Sequence, residues 1–134
     1  MEKNSAILRR IQERDRAAWQ AEQDGDLDTA IELYEQNIKE NYPGEYAFER
    51  LMILYRKQKD YEEELRVINH GINVFAQELE DHLKHSFSKN VDRKKVEDLS
   101  DGIMNNNGFQ LMYYANPLDK WAKRKEFLEK KLKE

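Results

Sequence analysis

The sequence contains no cysteine, and glycine and proline are scarce, at 5 and 2 of its 134 residues. The absence of cysteine excludes a disulfide framework, a thiolate zinc site and a cysteine nucleophile. Hydrophobic runs are short, and none approaches the roughly 20 residues that a transmembrane helix needs. Charges interrupt the N-terminus too early for a signal peptide. We therefore expect a cytoplasmic protein with no membrane partner.

Charge is abundant instead: 37% of the residues are Asp, Glu, Lys or Arg, with a net charge of −4. High charge with few glycines and prolines favours exposed helices over strands or disorder. Residues 1–82 hold 11 basic against 19 acidic side chains, whereas residues 83–134 hold 12 against 8. We expect the two halves to attract one another, or the basic half to meet an acidic partner.

The first two thirds of the chain show helical periodicity in four stretches. Gly25 and Asp26 are suited to ending one helix and capping the next, and Asp60 followed by Glu63 resembles a capping box. The pattern predicts helices over about 5–23, 27–41, 45–58 and 61–85.

The pattern is weaker after residue 86. Spaced apolar residues at 91–99 suggest a short helix, and 105–108 has the composition of a turn. Residues 109–114 form an apolar cluster too short to classify. Asn116 and Pro117 predict the cap and first turn of a last helix that ends near Lys133. We expect 87–134 to be a linker, this cluster and a capping helix, within the same domain as 1–86.

Two stretches that begin 34 residues apart, 24–34 and 58–68, share a turn, a capping Asp and an acidic first turn. Thirty-four is the period of the tetratricopeptide (TPR) repeat, a helix–turn–helix unit. Phe48-x-x-Leu51-Met52-x-x-Tyr55 resembles the first-helix signature of that family. Ala30-x-x-x-Tyr34 resembles the second-helix signature, and the resemblance covers residues 14 to about 76.

The resemblance implies an all-α fold of stacked antiparallel helical hairpins, an α-α superhelix, with two hairpins in 1–86 and a C-terminal capping helix. The sequence departs from the family at Met52 and Glu64, where small residues normally let helices cross closely, whereas Gly71 supplies one such residue. About three repeats are normally needed to bury a continuous core, so the C-terminal part or a second subunit must cap the stack. A generic antiparallel bundle is the alternative.

In TPR proteins the first helices of the repeats line a concave groove that holds the partner. The matching positions imply partner contacts at Trp19, Tyr46, Arg50, Ile53 and Arg56. Tryptophan, tyrosine and arginine dominate interface energetics; packing under the C-terminal segment is the alternative for Trp19. One TPR class grips a C-terminal carboxylate with a Lys and an Asn, and Asp15 and Trp19 stand at those places. An aspartate would repel that carboxylate.

These patterns predict a non-catalytic adaptor that binds a peptide or helix of a protein partner, without cofactor, metal or small-molecule substrate. The sequence holds none of the common nucleophile, phosphate-loop or zinc-protease motifs. His82 and His85 lie one turn apart, but one helical turn rarely supplies the ligands that zinc needs. The acidic run Glu62–Glu64 predicts exposed charge.

Two other functional classes are open. A homo-oligomer would bury the apolar cluster of 109–114 between copies, and a nucleic-acid accessory protein would use the basic C-terminal half. Glutamates interrupt that basic helix at spacings typical of exposed ion pairs, and the net charge is negative. Both features argue against nucleic acid.

Overall fold

The computed structural model describes the backbone of residues 2–86 and 108–134, and the side chains of 5–84 and 113–134. The described residues are all-helical, which confirms the predicted class. Five helices are present in this part of the chain: α1 (Glu2–Gln23), α2 (Leu27–Ile38), α3 (Glu45–Lys57), α4 (Tyr61–Ser86) and α5 (Gly108–Leu132). The first four begin and end within three residues of the predicted bounds. The helix suggested at 91–99 and residues 105–107 of the predicted turn lie outside the described residues, whereas Gly108, the last residue of that predicted turn, begins α5.

The turn between α1 and α2 forms as the sequence predicts. Gly25 has a φ of +79°, a left-handed conformation that costs glycine little because it has no Cβ. The Asp26 carboxylate accepts hydrogen bonds from the backbone N–H of Thr29 at 3.2 Å and from its hydroxyl at 2.6 Å. Asp26 therefore satisfies a donor that the first turn of α2 would otherwise leave without a partner.

Consecutive helices pack against one another, and α1 and α2 run antiparallel. In the first hairpin, Asn37 late in α2 bonds to Asp15 in α1, while Tyr34 earlier in α2 reaches Glu22 near the end of α1. The core lies along the contacts that α2, α3 and α4 make with their neighbours. Its large, fully enclosed side chains are Tyr34, Ile38, Phe48, Leu51, Met52, Leu54, Ile68, Phe75, Trp121 and Leu128.

The predicted start of the last helix at Asn116 and Pro117 is wrong. α5 begins at Gly108 and contains Pro117 in its interior, although proline removes one backbone hydrogen bond there. Tyr114, Trp121 and Leu128 recur every seven residues along one side of α5, and all three are buried or partly buried. Packing of this side against α4 therefore outweighs the local preference of proline for a first turn.

Trp121 fixes α5 onto the rest of the molecule. The indole is 1% exposed and lies 4.9 Å from the ring of Phe75 and 5.9 Å from that of Phe48, centroid to centroid. A Cβ on Gly71 of α4 would come within 2.9 Å of the Trp121 ring. Gly71 thus permits the close approach of α4 and α5.

Glu64 is buried, which corrects the prediction of exposed charge for the run Glu62–Glu64. Its side chain is 0% exposed. Arg124 of α5 donates to both carboxylate oxygens, at 2.8 and 3.0 Å, and Arg56 of α3 donates from Nε at 3.1 Å. The carboxylate is therefore compensated by two guanidinium groups, as a buried charge requires.

Candidate functional site: the outer face of α1 and α3

Trp19 lies on the outer side of α1. Its neighbours Ala18 and Ala21 are buried against the core, but Trp19 itself is 49% exposed. It therefore does not pack under the C-terminal segment among the described residues. A large aromatic side chain that is half exposed keeps much apolar surface available for a partner.

Tyr46 lies at the start of α3 and is 42% exposed. Its ring stands edge-on to the buried ring of Tyr34 at a centroid distance of 5.9 Å. The Tyr34 hydroxyl donates to Glu22 at 2.6 Å and lies 3.4 Å from the Tyr46 hydroxyl. One side of the Tyr46 ring is thus fixed by the core and the other side faces solvent.

Arg50 joins the two helices of this face. Its guanidinium forms two hydrogen bonds with the carboxylate of Glu22 on α1, one of them from Nε at 3.2 Å. Burial alone would raise the pKa of Glu22, but the hydrogen bonds from Arg50 and Tyr34 outweigh it and hold that pKa below its usual value. The bidentate pair of Arg50 with Glu22 therefore links α1 to α3.

Trp19, Tyr46 and Arg50 are brought onto one face by this pair. Trp19 precedes Glu22 by three residues and Tyr46 precedes Arg50 by four, spacings that place side chains on the same side of a helix. We call this surface the α1–α3 face. It was implied by the family resemblance, and its use by a partner stays a prediction.

Ile53 and Arg56 are placed differently. Ile53 is partly buried, one turn beyond Arg50. Arg56 turns away from α1 and donates to Glu64, at the junction of α3, α4 and α5. The structure therefore groups four of the five predicted contacts along α1 and the outer side of α3 and separates Arg56 from them.

A cavity of about 30 Å³ lies beside Tyr46 of the α1–α3 face, among α1, α2, the α2–α3 turn and the start of α3. Asp15, Asn37, Tyr42 and Tyr46 line it, together with small and apolar residues from α1, α2 and α3. Asn37 is 3% exposed, and its amide donates to the Ile11 carbonyl at 2.9 Å and to the Asp15 carboxylate at 2.6 Å.

Burial raises the pKa of Asp15, and the hydrogen bond from Asn37 offsets only part of that rise. The neighbouring Arg14 donates instead to Glu40 at 2.9 Å and to the side-chain oxygen of Asn37 at 3.3 Å. In the part of the chain that the structure describes, the Asp15 carboxylate forms no ion pair. It is a partly buried charge without a cation.

The family resemblance drew attention to Asp15 only as a residue that would repel a partner's carboxylate. It gave no signal for the Glu22–Arg50 pair, whose members are 28 residues apart, or for the cavity, which three separate segments build. A buried Asn in the apolar stripe of α2 is the one local signal, because such a residue must find several hydrogen-bond partners.

His82 packs against α5 within the described residues. Its ring lies 5.1 Å from that of Tyr114, and its Nε2 is 3.2 Å from the Tyr114 hydroxyl. The side chain of His85 lies outside the described residues. In the described ranges, three or more histidine, aspartate or glutamate side chains do not converge in a way that could hold a metal ion. No helix described here has the length and apolar character to cross a membrane.

Comparisons of this chain with protein-family models, with curated proteins and with solved structures found no significant match.

Proposed function

We propose that this chain is a non-catalytic protein-interaction module, a cytoplasmic adaptor that holds a peptide or helix of a partner protein on its α1–α3 face. The observation that carries this proposal is the exposure of Trp19 and Tyr46 on adjacent helices that the Glu22–Arg50 pair holds together. Aromatic and arginine side chains of this kind supply most of the binding free energy in protein interfaces.

We further propose that the helices stack as in a TPR superhelix. Contacts between successive hairpins support this arrangement. The first helices α1 and α3 meet through Glu22 and Arg50, and the second helices α2 and α4 meet through Glu35 and Arg66. In a repeat stack each unit contacts only its neighbours, and α5 would then occupy the place of a third first-helix.

Helices α3 and α5 are also joined by a polar contact that includes an ion pair. The indole N–H of Trp121 donates to Glu49 of α3 at 2.8 Å, and the Lys120 ammonium pairs with the same carboxylate at 2.6 Å. In this proposal α5 closes one end of the stack and leaves the α1–α3 face open to a partner.

The homo-oligomer alternative gains little from the structure. Tyr113 stacks on Phe75 at 6.2 Å, and Tyr114 meets the same ring edge-on at 5.8 Å, centroid to centroid. The described end of the apolar cluster therefore contacts its own chain on one side, and the Tyr113 side chain, 48% exposed, leaves only part of its surface for a second copy.

The nucleic-acid alternative is disfavoured for a similar reason. Lys120, Lys123 and Arg124 each pair with a carboxylate of the same chain. Arg124 would have to leave the buried carboxylate of Glu64 to contact a phosphate, whereas the exposed pair of Lys123 with Asp119 would exchange easily.

The test is an affinity pull-down from the native lysate, with and without nuclease, using the wild-type chain, Trp19→Ala and Leu27→Ala as baits. Leu27 is an exposed apolar residue on α2 and serves as the matched control. We expect a protein that survives nuclease and is retained by the wild type and by Leu27→Ala but not by Trp19→Ala. Truncation of a central anchor costs about 2 kcal/mol or more, roughly a thirtyfold loss of affinity.

Because half of the Trp19 side chain is buried against its own chain, its replacement should lower the free energy of unfolding by about 1–2 kcal/mol. Circular dichroism and urea unfolding of each bait establish that the fold is intact. Equal retention by the wild type and by a folded Trp19→Ala variant would contradict the proposal. Recovery of the bait alone would favour self-assembly, which light scattering at high protein concentration measures directly.

A further inference from the structure

The lining of the cavity beside Tyr46 includes one carboxylate and two tyrosines. Asp15 supplies the charge, and Tyr42 and Tyr46 are the two tyrosines. A carboxylate attracts a cation directly, and aromatic rings attract cations through their electron-rich faces. These are the groups from which proteins build sites for ammonium ions.

The charge of Asp15 lacks compensation within the described part of the chain. The carboxylate accepts one hydrogen bond, from the neutral amide of Asn37. Arg14 pairs with Glu40 and Arg50 with Glu22, and Arg16, the other arginine next to Asp15 in sequence, is exposed and makes no ion pair with Asp15 in the described residues. A cation from another molecule would therefore meet an acceptor that no internal guanidinium already neutralises.

The size of the cavity restricts the ligand. A single water-sized guest needs roughly 10–15 Å³ of such space, so about 30 Å³ holds two groups of that size. A compact ammonium with its last methylene fits this volume, whereas the planar guanidinium of arginine has four heavy atoms.

We propose that this cavity is a subsite for a primary ammonium group, supplied by a lysine side chain of the partner protein and paired with the Asp15 carboxylate in the space that Tyr42 and Tyr46 help to line. The inference rests on the proposed function, because it names the chemistry of the partner that the α1–α3 face would hold. The partner segment would carry a lysine positioned beside an apolar residue that covers Trp19.

The direct test titrates the ¹⁵N-labelled full chain with N-acetyl-lysine methylamide and follows backbone amide shifts. The norleucine analogue has the same chain length without the ammonium, and the arginine analogue carries a guanidinium. We expect saturable shifts at residues 44–47 in the millimolar range with the lysine probe, which is about 4 kcal/mol of binding. Neither analogue should produce them at equal concentration.

Asp15→Asn removes the charge and retains an oxygen that can accept the bond from Asn37. It should weaken lysine-probe binding at least tenfold. Glu13→Gln is the matched control, since Glu13 is an exposed carboxylate two residues away on α1. Tyr46→Leu, which removes one wall, should also weaken binding. Absence of saturable shifts, or equal shifts in a folded Asp15→Asn variant, would overturn the subsite.

Selection of random dodecapeptides on the immobilised wild-type chain separates this inference from the proposed function. We expect peptides that depend on Trp19 and contain a lysine whose replacement by norleucine weakens binding at least tenfold on the wild type but not on Asp15→Asn. Trp19-dependent peptides without such a lysine would overturn the subsite and leave the partner face intact. Lysine-probe shifts without any Trp19-dependent peptide would support the subsite and contradict the partner face.

Discussion

Two carboxylates on opposite sides of α3 differ in how their charge is compensated. Glu64 of α4, where α3 and α5 meet, is fully enclosed and accepts hydrogen bonds from Arg56 and Arg124. Asp15 of α1 is partly enclosed and accepts a hydrogen bond from the uncharged amide of Asn37. Withdrawal from water is costly for any carboxylate, and only Glu64 has cations to offset that cost. The difference shows that the buried charge on the α5 side is compensated within the described residues, whereas we propose that the charge on the α1 side is compensated by a partner.

The largest expected effect on the α5 side comes from Trp121→Ala. This change removes a side chain that is 1% exposed and leaves a cavity, which typically costs about 3–5 kcal/mol in the free energy of unfolding. Urea unfolding measures it. Phe127→Ala is the control, because Phe127 is an aromatic residue of the same helix that is 51% exposed. Equal losses for the two variants would mean that α5 does not pack as described.

Arg124→Met tests the compensation of Glu64. Removing one partner of a buried ion pair costs about 3–5 kcal/mol, and we expect the lower end because Arg56 still donates to Glu64. The double variant Glu64→Gln with Arg124→Met should regain part of the loss, since the buried charge is then gone. A double-mutant cycle by urea unfolding quantifies the coupling, and additive losses would contradict the role of this pair.

Gly71→Ala examines the close approach of α4 and α5. Alanine is the better helix former by about 1 kcal/mol, but its Cβ would come within 2.9 Å of the Trp121 ring. Overpacking of this kind costs about 1–3 kcal/mol, so we expect a net loss of stability. Combining Gly71→Ala with Trp121→Phe should reduce that loss, and thermal unfolding of both variants would show it. If Gly71→Ala alone were more stable than the wild type, the Trp121 ring would have to shift at little energetic cost.

The parts of this structure that local rules determine were predictable. Asp26 caps α2 because its carboxylate meets an N–H three residues away, and helical periodicity placed the first four helices. The predicted helix start at Pro117 was wrong because the apolar spacing of Tyr114, Trp121 and Leu128 continues through that residue. Local sequence patterns do not predict ion pairs between residues far apart in the chain, such as Glu64 and Arg124, which are 60 residues apart.

The candidate site shows the same division. Family resemblance alone placed Trp19, Tyr46 and Arg50 on a shared face, and the contacts of Arg50 with Glu22 are consistent with it. Arg56 occupies a matching position in sequence, yet its guanidinium turns to Glu64, because that buried carboxylate needs compensation. A motif specifies which positions of a helix face outward. It does not specify where a long side chain such as that of Arg56 finds its ion-pair partner.

Asp15→Asn gives the smallest effect and the sharpest contrast with Glu64. Burial raises the pKa of Asp15 above its ordinary 3.8, so the folded chain holds this proton more tightly than the unfolded chain. The resulting loss in the free energy of unfolding is absent below pH 3.8. It grows as the pH rises from 3.8 to the higher pKa of the folded state and is constant above that pKa. Asp15→Asn should therefore stabilise the chain at pH 7, by less than about 1 kcal/mol, and the gain should vanish towards pH 3.

Glu64→Gln should show no such gain at pH 7, because Glu64 is paired. Urea unfolding of the wild type and both variants between pH 3 and 7 measures the difference, and a loss of stability in Asp15→Asn at pH 7 would mean that this carboxylate is structural. A residue that costs stability when charged, and whose removal abolishes binding of an ammonium probe, is one that the fold tolerates for its function.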